Sequence, residues 1–451
     1  MDLNGKIIAV LGLGREGHAL ARYFDKEGTE ADFFDEDVSA QADDIKSMGF
    51  EVSVGPTALS RLADYDVIFR SPGIKPHHEK LKNLTEKLTS LTRLFFDLWP
   101  GKIIGVTGTK GKGTTASLIK SIFVAAKIDS VLLGNIGQVD LAGIDQFDKD
   151  AYAIVELSSF QLMDLGVSPH IAVVLDVTSE HLDYHKSASE YVLAKLEIVR
   201  HQKEGDWLVI TGKNPNFSKF KNKTPARVIE VFGEVSAQPA AKAVWWRNGT
   251  QFTNVYQEEI IIDENTFPLF GEHNKVNAAA AAAVCQILKI DTGVIASAIS
   301  SFRNLPQRLE NIGKFGGITF INDSASTNPA ATAAAIDAIA GPLIPIIGGK
   351  NKGLDYSALV AKIAGNGKIK KAIVFGAIGD ELKKLFQHHK DKPVEFVATL
   401  DEAVKTAIGN SAHDNTILFS PGAASFDQFT NYVVRGQKFN NLIYEHFGRK
   451  I

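Results

Sequence analysis

Gly105-Val106-Thr107-Gly108-Thr109-Lys110-Gly111-Lys112-Gly113-Thr114-Thr115 decides the reading of this chain. The stretch follows an apolar, β-prone run (Lys102-Ile103-Ile104) and opens a segment with helical spacing at Leu118, Ile119, Ile122 and Phe123. Strand, glycine loop, then helix is the context that turns a glycine pattern into a phosphate site. Glycines let backbone N–H groups turn inward around an anion without Cβ clashes. The helix N-terminus adds free donors and a positive dipole end. Lys112 supplies a mobile charge for the β- and γ-phosphates. Gly113 stands where Ser or Thr usually follows the lysine and ligates Mg²⁺, so the magnesium hydroxyl falls to Thr114, with Thr115 as its neighbour. The plainer alternative is a glycine-rich turn with a solvated lysine.

Working outward, the N-terminal run Lys6–Leu11 reads as a buried parallel strand that enters Gly12-Leu13-Gly14-Arg15-Glu16-Gly17 and then a helix through Ala19, Leu20 and Phe24. Asp35 follows the next apolar strand at about the offset of a ribose-binding acid. Taken alone, the fingerprint suggests NAD, although the same turn serves any diphosphate or simply tight packing. Asp66–Arg70 is a further strand that ends at Ser71-Pro72-Gly73-Ile74, a loop where open α/β sheets place ligands. Trp99-Pro100-Gly101 marks a boundary.

Downstream, Ala151–Glu156 is an apolar strand closed by a carboxylate, a candidate for holding Mg²⁺. The strand Ile171–Leu175 leads to His181, which lies among Glu180 and Asp183. Residues 206 to 270 read as a β-rich elaboration with a hairpin signal at Asn248-Gly249. His273-Asn274-Lys275-Val276-Asn277 opens an Ala-rich helix in which the two asparagines face one way. After Leu305-Pro306-Gln307-Arg308, strand–helix alternation restarts. Three polar loops then leave strand ends: Asn322–Pro329, Gly348–Gly353 and Ser420–Phe429. The fold expected is α/β in three domains: Rossmann-like over 1–99, a central P-loop parallel sheet with the β-rich elaboration over 100–304, and a second Rossmann-like unit over 305–451.

Composition bounds the function. At 451 residues with 45% hydrophobic and 22% charged residues, the chain is a multidomain globular protein. A net charge of −3 gives no electrostatic case for nucleic acid or a membrane surface. One cysteine, Cys285, excludes an internal disulfide and sits in a helical Ala run where a small buried side chain fits. The N-terminus shows no signal-peptide pattern, and the longest apolar run, Ala278–Cys285, is too short to span a bilayer. A cytoplasmic monomer is expected.

Read together, these stretches resemble the Mur ligases. The motifs are Gly-Thr-x-Gly-Lys at 108–112, Gly-Asn-Ile-Gly at 134–137, Glu-Leu-Ser-Ser-Phe-Gln-Leu at 156–162, Glu-His-Leu-Asp at 180–183 and Tyr-x-x-Ala-Lys at 191–195. To these add His-Asn-x-x-Asn at 273–277, Asn-Asp-Ser at 322–324 and Ser-Pro-x-x-x-Ser-x-Asp-Gln-Phe at 420–429. The likeness is greatest to the branch that joins D-glutamate to UDP-N-acetylmuramoyl-L-alanine. It implies that the first domain binds the UDP precursor, the second ATP and the third the amino acid. The N-terminal fingerprint then becomes a UDP site lined by Gly14, Arg15, Asp35, Ser71, Pro72 and Gly73, with Asn135 also on the precursor.

The resemblance further implies ATP contacts along Gly108, Thr109, Lys110, Gly111, Lys112, Gly113, Thr114 and Thr115, and from Asn274, Asn277, Arg308 and Asp323. It implies two Mg²⁺ sites held by Thr114, Glu156, His181 and a carbamylated Lys195. Thr327, Lys352, Ser425 and Tyr432 fall at amino-acid positions. Three residues depart from the pattern. Gly113 matches the folylpolyglutamate synthase variant of the loop, Ala325 replaces a lysine and Tyr432 replaces a phenylalanine. A folylpolyglutamate synthase, a Mur ligase with another acceptor, an NAD-dependent oxidoreductase and a non-catalytic ATP switch are the alternatives.

Overall fold

The four apolar residues of β1 (Ile8–Leu11) are all buried, as expected of a strand covered on both faces. In the computed structural model, which describes residues 1–38, 40, 42–134, 141–178, 184–389 and 393–448, β1 is the middle of a parallel sheet. Its neighbours are β2 (Asp32–Asp35), β3 (Glu51–Val54), β4 (Val67–Arg70) and β5 (Leu88–Thr89), in the order β3-β2-β1-β4-β5. The helix Arg15–Glu27 buries Gly17, Ala19, Leu20, Ala21 and Phe24 against the sheet. It stops at Gly28, whose left-handed φ of 64° lets the cap N–H reach back to Asp25.

The central sheet has nine described strands in the order β14-β13-β12-β11-β10-β9-β6-β8-β7. They are β6 (Lys102–Thr107), β7 (Ser130–Leu133), β8 (Tyr152–Glu156), β9 (Ile171–Val174), β10 (Trp207–Thr211), β11 (Arg227–Glu234), β12 (Ala243–Arg247), β13 (Thr250–Thr253) and β14 (Glu259–Asp263). Since β6 lies between β8 and β9, successive connections diverge around it, which opens a ligand crevice at its carboxyl end. The strand runs three residues beyond the apolar run that announced it. Gly105 allows this, because a Cβ there would meet Pro169 at 2.8 Å and Leu157 at 2.9 Å.

The expected β-rich elaboration is an extension of this sheet. β10, β11 and β12 pair in parallel, and only β12-β13-β14 are antiparallel. The Asn248-Gly249 hairpin joins β12 to β13, with φ of 52° and 75° at the two turn residues, as a primed turn requires. The Ala-rich helix Glu272–Ile287 is buried along Ala278–Cys285, and burial pushes the Cys285 thiol far up. Hydrophobic residues of the N-terminal sheet and of this sheet share one core, which includes Phe24, Phe69, Leu94, Trp99, Ile103 and Leu133.

The third sheet has the order β15-β16-β20-β17-β18-β19. Its strands are β15 (Glu310–Phe315), β16 (Ile318–Asn322), β17 (Leu343–Gly348), β18 (Ala372–Phe375), β19 (Val394–Val397) and β20 (Thr416–Gly422). β15 is an antiparallel edge and the other pairings are parallel. By contact density the chain divides into two units, one of Met1–Phe267 with His273–Ser301, the other of Pro268–Glu272 with Phe302–Ile451. No described helix is long and apolar enough to cross a membrane.

Gly17 tests how tightly the first helix meets its sheet. A Cβ at Gly17 would lie 2.2 Å from the Gly12 carbonyl oxygen, whereas one at Gly14 meets nothing within 4 Å. Gly17→Ala is expected to lose about 1–3 kcal/mol in urea unfolding, and Gly14→Ala to stay within about 0.5 kcal/mol of the parent. Equal stability of the two variants refutes this packing.

Candidate active site

At the end of β6 the chain enters the glycine loop. Gly108 has φ of 154° and Gly111 of 86°. Side chains at either would fill the loop, since a Cβ on Gly108 meets Leu175 at 2.7 Å and one on Gly111 meets Asn277 Oδ1 at 2.4 Å. Lys112 begins the helix Lys112–Ala125, and its Nζ donates to the carbonyls of Gly108 (3.0 Å) and Thr109 (3.2 Å). Lys195 reaches the same carbonyl from the helix Ala188–Arg200. It is buried, and its Nζ donates to Gly108 O (3.0 Å) and Thr107 Oγ1 (3.1 Å). Two ammonium groups therefore converge on one carbonyl of the glycine loop.

The other sequence candidates of this unit gather nearby. Asn274 and Asn277 are joined by a 2.9 Å hydrogen bond, and Thr115 Oγ1 donates to Asn277 at 3.3 Å. With Thr115 so engaged, Thr114 is the remaining hydroxyl on the first turn. Glu156 closes β8 level with Val106 of β6 and is 6% exposed. Lys110 is exposed and Gly113 lies in the first turn of the helix. His181 and Asn135 lie outside the described residues. Among the described residues no three His, Cys, Asp or Glu side chains cluster as a metal site.

Sequence reasoning passed over the packing behind Lys195. Its Nζ lies 4.9 Å from the centre of the Tyr191 ring, and Tyr191 OH is 3.2 Å from Thr109 Oγ1. His185, Tyr184 and Phe160 continue this aromatic layer, with His185 stacked on Phe160 and bonded to Ser159 Oγ at 2.9 Å. Four such rings between Phe160 and Tyr191 carry no periodic signal.

At the carboxyl end of the first sheet, Gly14 and Arg15 follow β1, Asp35 ends β2, and Ser71, Pro72 and Gly73 follow β4. A Cβ on Gly12 would strike Ser71 at 2.8 Å, so the two loops touch. Asp35 has a second duty there, because its carboxylate accepts the backbone N–H groups of Leu13 (2.9 Å) and Asp37 (3.0 Å). The acid thus shapes the glycine turn as well as lining it. Burial pushes the Glu16 carboxyl up to about 7, against the pull of Arg70.

In the second unit, Arg308 is exposed on a strained turn. Its neighbours Gln307 and Leu309 have φ of 60° and 46°, in the region that bulky residues avoid. Asp323 holds this turn by accepting the Leu309 N–H at 3.2 Å, and it also accepts from Ser420 Oγ at 2.7 Å. Thr327, Lys352, Ser425 and Tyr432 lie on the loops after β16, β17 and β20 and at the start of the helix Tyr432–His446. Backbone bonds link these loops, from Gly422 N to Ser326 O (2.9 Å) and between Lys350 and Ala424 in both directions. Lys352 Nζ sits 4.8 Å over the Phe426 ring.

Arg435, which no motif had marked, fastens the loops from beneath. Fully buried, it donates to Ser324 Oγ (3.1 Å), Ser324 O (2.9 Å) and Ala423 O (2.9 Å).

Residues 6–91 match the Mur ligase MurD-like N-terminal domain, residues 106–285 the Mur ligase middle domain, and residues 307–423 the Mur ligase glutamate ligase domain. The chain belongs to the Mur ligase family. A UDP-N-acetylmuramoylalanine–D-glutamate ligase of Symbiobacterium thermophilum is 32% identical over 449 residues, covering 96% of this chain and 97% of the relative. One of that name from a Thermoanaerobacter species is 31% identical, covering 99% of each chain. Among solved structures, the MurF ligase of Thermotoga maritima in complex with ADP shares the fold, with a TM-score of 0.60 at 15% identity over 98% of this chain and 95% of that one. Membership of the Mur ligases sets aside the NAD reading of Gly12–Gly17, because that fingerprint lies inside the MurD-like match.

Asp323 gives this Mur ligase a measurable pH signature. Burial pushes its carboxyl up to about 6 from 3.8, opposed by hydrogen bonds from Ser326, Ser420 and Leu309 and by Arg308. The folded state therefore holds the proton more tightly than the unfolded chain. Its contribution is fully present below pH 3.8 and is lost as pH rises through about 6. Asp323→Asn is expected to abolish this dependence, so that its melting temperature relative to the parent rises between pH 4 and 7. A constant difference across that range contradicts the assignment.

Proposed function

We propose that this chain joins D-glutamate to UDP-N-acetylmuramoyl-L-alanine at the expense of ATP, as a soluble, cytoplasmic, monomeric enzyme of peptidoglycan precursor synthesis. The observation that carries the reading is the meeting of Lys112 and Lys195 on the Gly108 carbonyl, in a chain whose full-length relatives bear that name. Residues 1–99 hold the precursor, 100–304 ATP and 305–451 the amino acid.

A carboxylate will not accept an amine directly, because it has no leaving group. Phosphoryl transfer from ATP to the alanyl carboxylate gives an acyl phosphate. The amine of D-glutamate attacks the acyl carbon, and the tetrahedral intermediate expels phosphate. Both partners of the first step are anions, so charge neutralisation and positioning dominate. Lys112 leaves its loop carbonyls to contact the phosphates. Asn274, Asn277, Arg308 and Asp323 serve ATP, while Gly14, Arg15, Asp35 and Ser71–Gly73 hold the UDP part together with Asn135. Thr327, Lys352, Ser425 and Tyr432 take the amino acid, whose two carboxylates suit a lysine and hydroxyls.

Magnesium fits the oxygen donors here, since Glu156 is a buried carboxylate beside the loop and hard cations prefer such ligands. Two such ions, held among Thr114, Glu156, His181 and Lys195 with His181 on the second, would neutralise charge between the reacting anions. As an ammonium Lys195 is a donor and cannot ligate a cation. Carbamylation of its free amine by CO₂, with loss of a proton, would make it an oxygen ligand and remove one of two positive charges at the Gly108 carbonyl.

Phosphate release from ATP is expected to require both UDP-N-acetylmuramoyl-L-alanine and D-glutamate in a panel that includes L-glutamate and lysine. Release with another amino acid moves the pocket assignment, with Ala325 and Tyr432 the first suspects. No release with any acceptor removes the reading. Lys195→Ala should lose at least about a hundredfold in turnover and regain part of it with added short carboxylates. Unchanged turnover removes the carbamate.

A further inference from the structure

Arg70 ends β4 one residue before the Ser71–Ile74 loop, and its side chain is fully buried. Its Nε donates to Asp164 Oδ2 at 2.7 Å, and a second nitrogen pairs with the same carboxylate. The third nitrogen donates to Tyr184 OH at 2.9 Å and to the carbonyl of Ile74. Tyr184 OH also donates to Ile74 O, at 3.1 Å. One guanidinium thus pins the far end of the loop and joins it to the central sheet's side of the same unit.

What it joins matters. Asp164 follows the short helix Ser159–Leu162 just beyond Glu156. The Tyr184 ring packs 4.1 Å from Phe160 and 5.3 Å from His185, which meets Tyr191 at 5.4 Å. Tyr191 touches both Thr109 and Lys195. A second tie follows, because His77, three residues past Ile74, pairs with Glu190 in the first turn of the Lys195 helix. The loop is therefore fastened at two points to the elements that carry Glu156 and Lys195.

We propose that Arg70 is a positioning residue that holds the Ser71–Ile74 loop in register with the phosphate loop, so that a nucleotide-linked substrate on the first sheet presents its carboxylate to ATP. This rests on the reading of the Ser71–Ile74 loop as the precursor site. Arginine is suited to it, because its planar fork engages a carboxylate and carbonyls at once. A buried ion pair alone is a poor source of stability, and removing both partners is often neutral while removing one is costly. That asymmetry separates positioning from simple structural support.

The experiment compares Arg70→Met, Arg70→Lys and the charge-free double variant Arg70→Met/Asp164→Leu. It measures melting temperature, KM for each substrate and calorimetric binding of UDP-N-acetylmuramoyl-L-alanine. Arg70→Met is expected to raise the precursor KM about tenfold to a hundredfold, with the KM of ATP within about twofold of the parent, and Arg70→Lys to fall between. The double variant should recover melting temperature yet keep the raised precursor KM, because the Ile74 carbonyl still lacks its anchor. A double variant that recovers both, or single variants that shift all substrates equally, overturns the proposal. Should Arg70→Met not fold, the lysine and double variants decide the question. If the parent binds precursor but does not turn it over with any amino acid, the proposed function fails, and Arg70 is judged on the binding constants alone. If the parent does not bind it, both fall.

Discussion

The carbonyl of Gly108 is the constraint around which the central domain is built. It accepts from Lys112 and from Lys195 at 3.0 Å each. Two like charges on one acceptor are held together only if the surroundings fix both stems. The Lys112 stem is fixed by the helix that starts at that residue, and the Lys195 stem by a buried helix and the Tyr191 ring. Every neighbouring choice serves the same geometry. Gly108 and Gly111 leave no side chain in the loop, Thr107 offers a second acceptor, and Asn277 closes the loop from behind. A helix N-terminus with cationic donors converging beside it makes a field that favours an anion.

The same physics recurs on the first sheet with different means. There the turn at Gly12 is pressed against Ser71, and Asp35 accepts two backbone N–H groups. The third sheet places its loops at carboxyl ends as well, but stiffens them through Asp323 and a strained turn at Gln307 and Leu309. A bulky residue keeps a positive φ only where its backbone is held, and the Asp323 carboxylate supplies that hold.

Most of this was legible in the sequence where a local pattern carries the information. Apolar runs marked β1, β4, β8, β9, β16, β17 and β20, and Asn248-Gly249 marked its hairpin. The glycine loop announced the strand and the helix that flank it. Edge strands were not legible. β3, β15 and β19 have mixed or polar sequences (Glu-Val-Ser-Val, Glu-Asn-Ile-Gly-Lys-Phe, Val-Glu-Phe-Val) because one side faces solvent. The parallel pairing of β10 and β11 was also hidden, since short β-prone pieces do not reveal which neighbour they join. Arg70, Asp164 and Arg435 were missed for a similar reason. In a sequence, a charged residue reads as surface unless a motif claims it, and most of their partners are remote, with Asp164 94 residues from Arg70 and Ser324 111 from Arg435.

Those buried arginines answer a problem that loop-built sites share. Loop carbonyls have no ladder to pair with, and a buried one left unmet is costly. A guanidinium presents five N–H donors in a fixed plane, so one side chain can satisfy acceptors from separate segments. Arg435 does this for Ser324 and Ala423, which belong to loops 99 residues apart. The arrangement strains against desolvation, which pulls the Arg435 guanidinium down to about 10 and raises the Asp164 carboxyl beside Arg70. Neither group is therefore placed where stability alone would put it. Aliphatic side chains would pack as well in both places, but they could not set the direction of a carbonyl. Loops at the carboxyl ends of these sheets have no ladder to set that direction, and a buried guanidinium sets it for them.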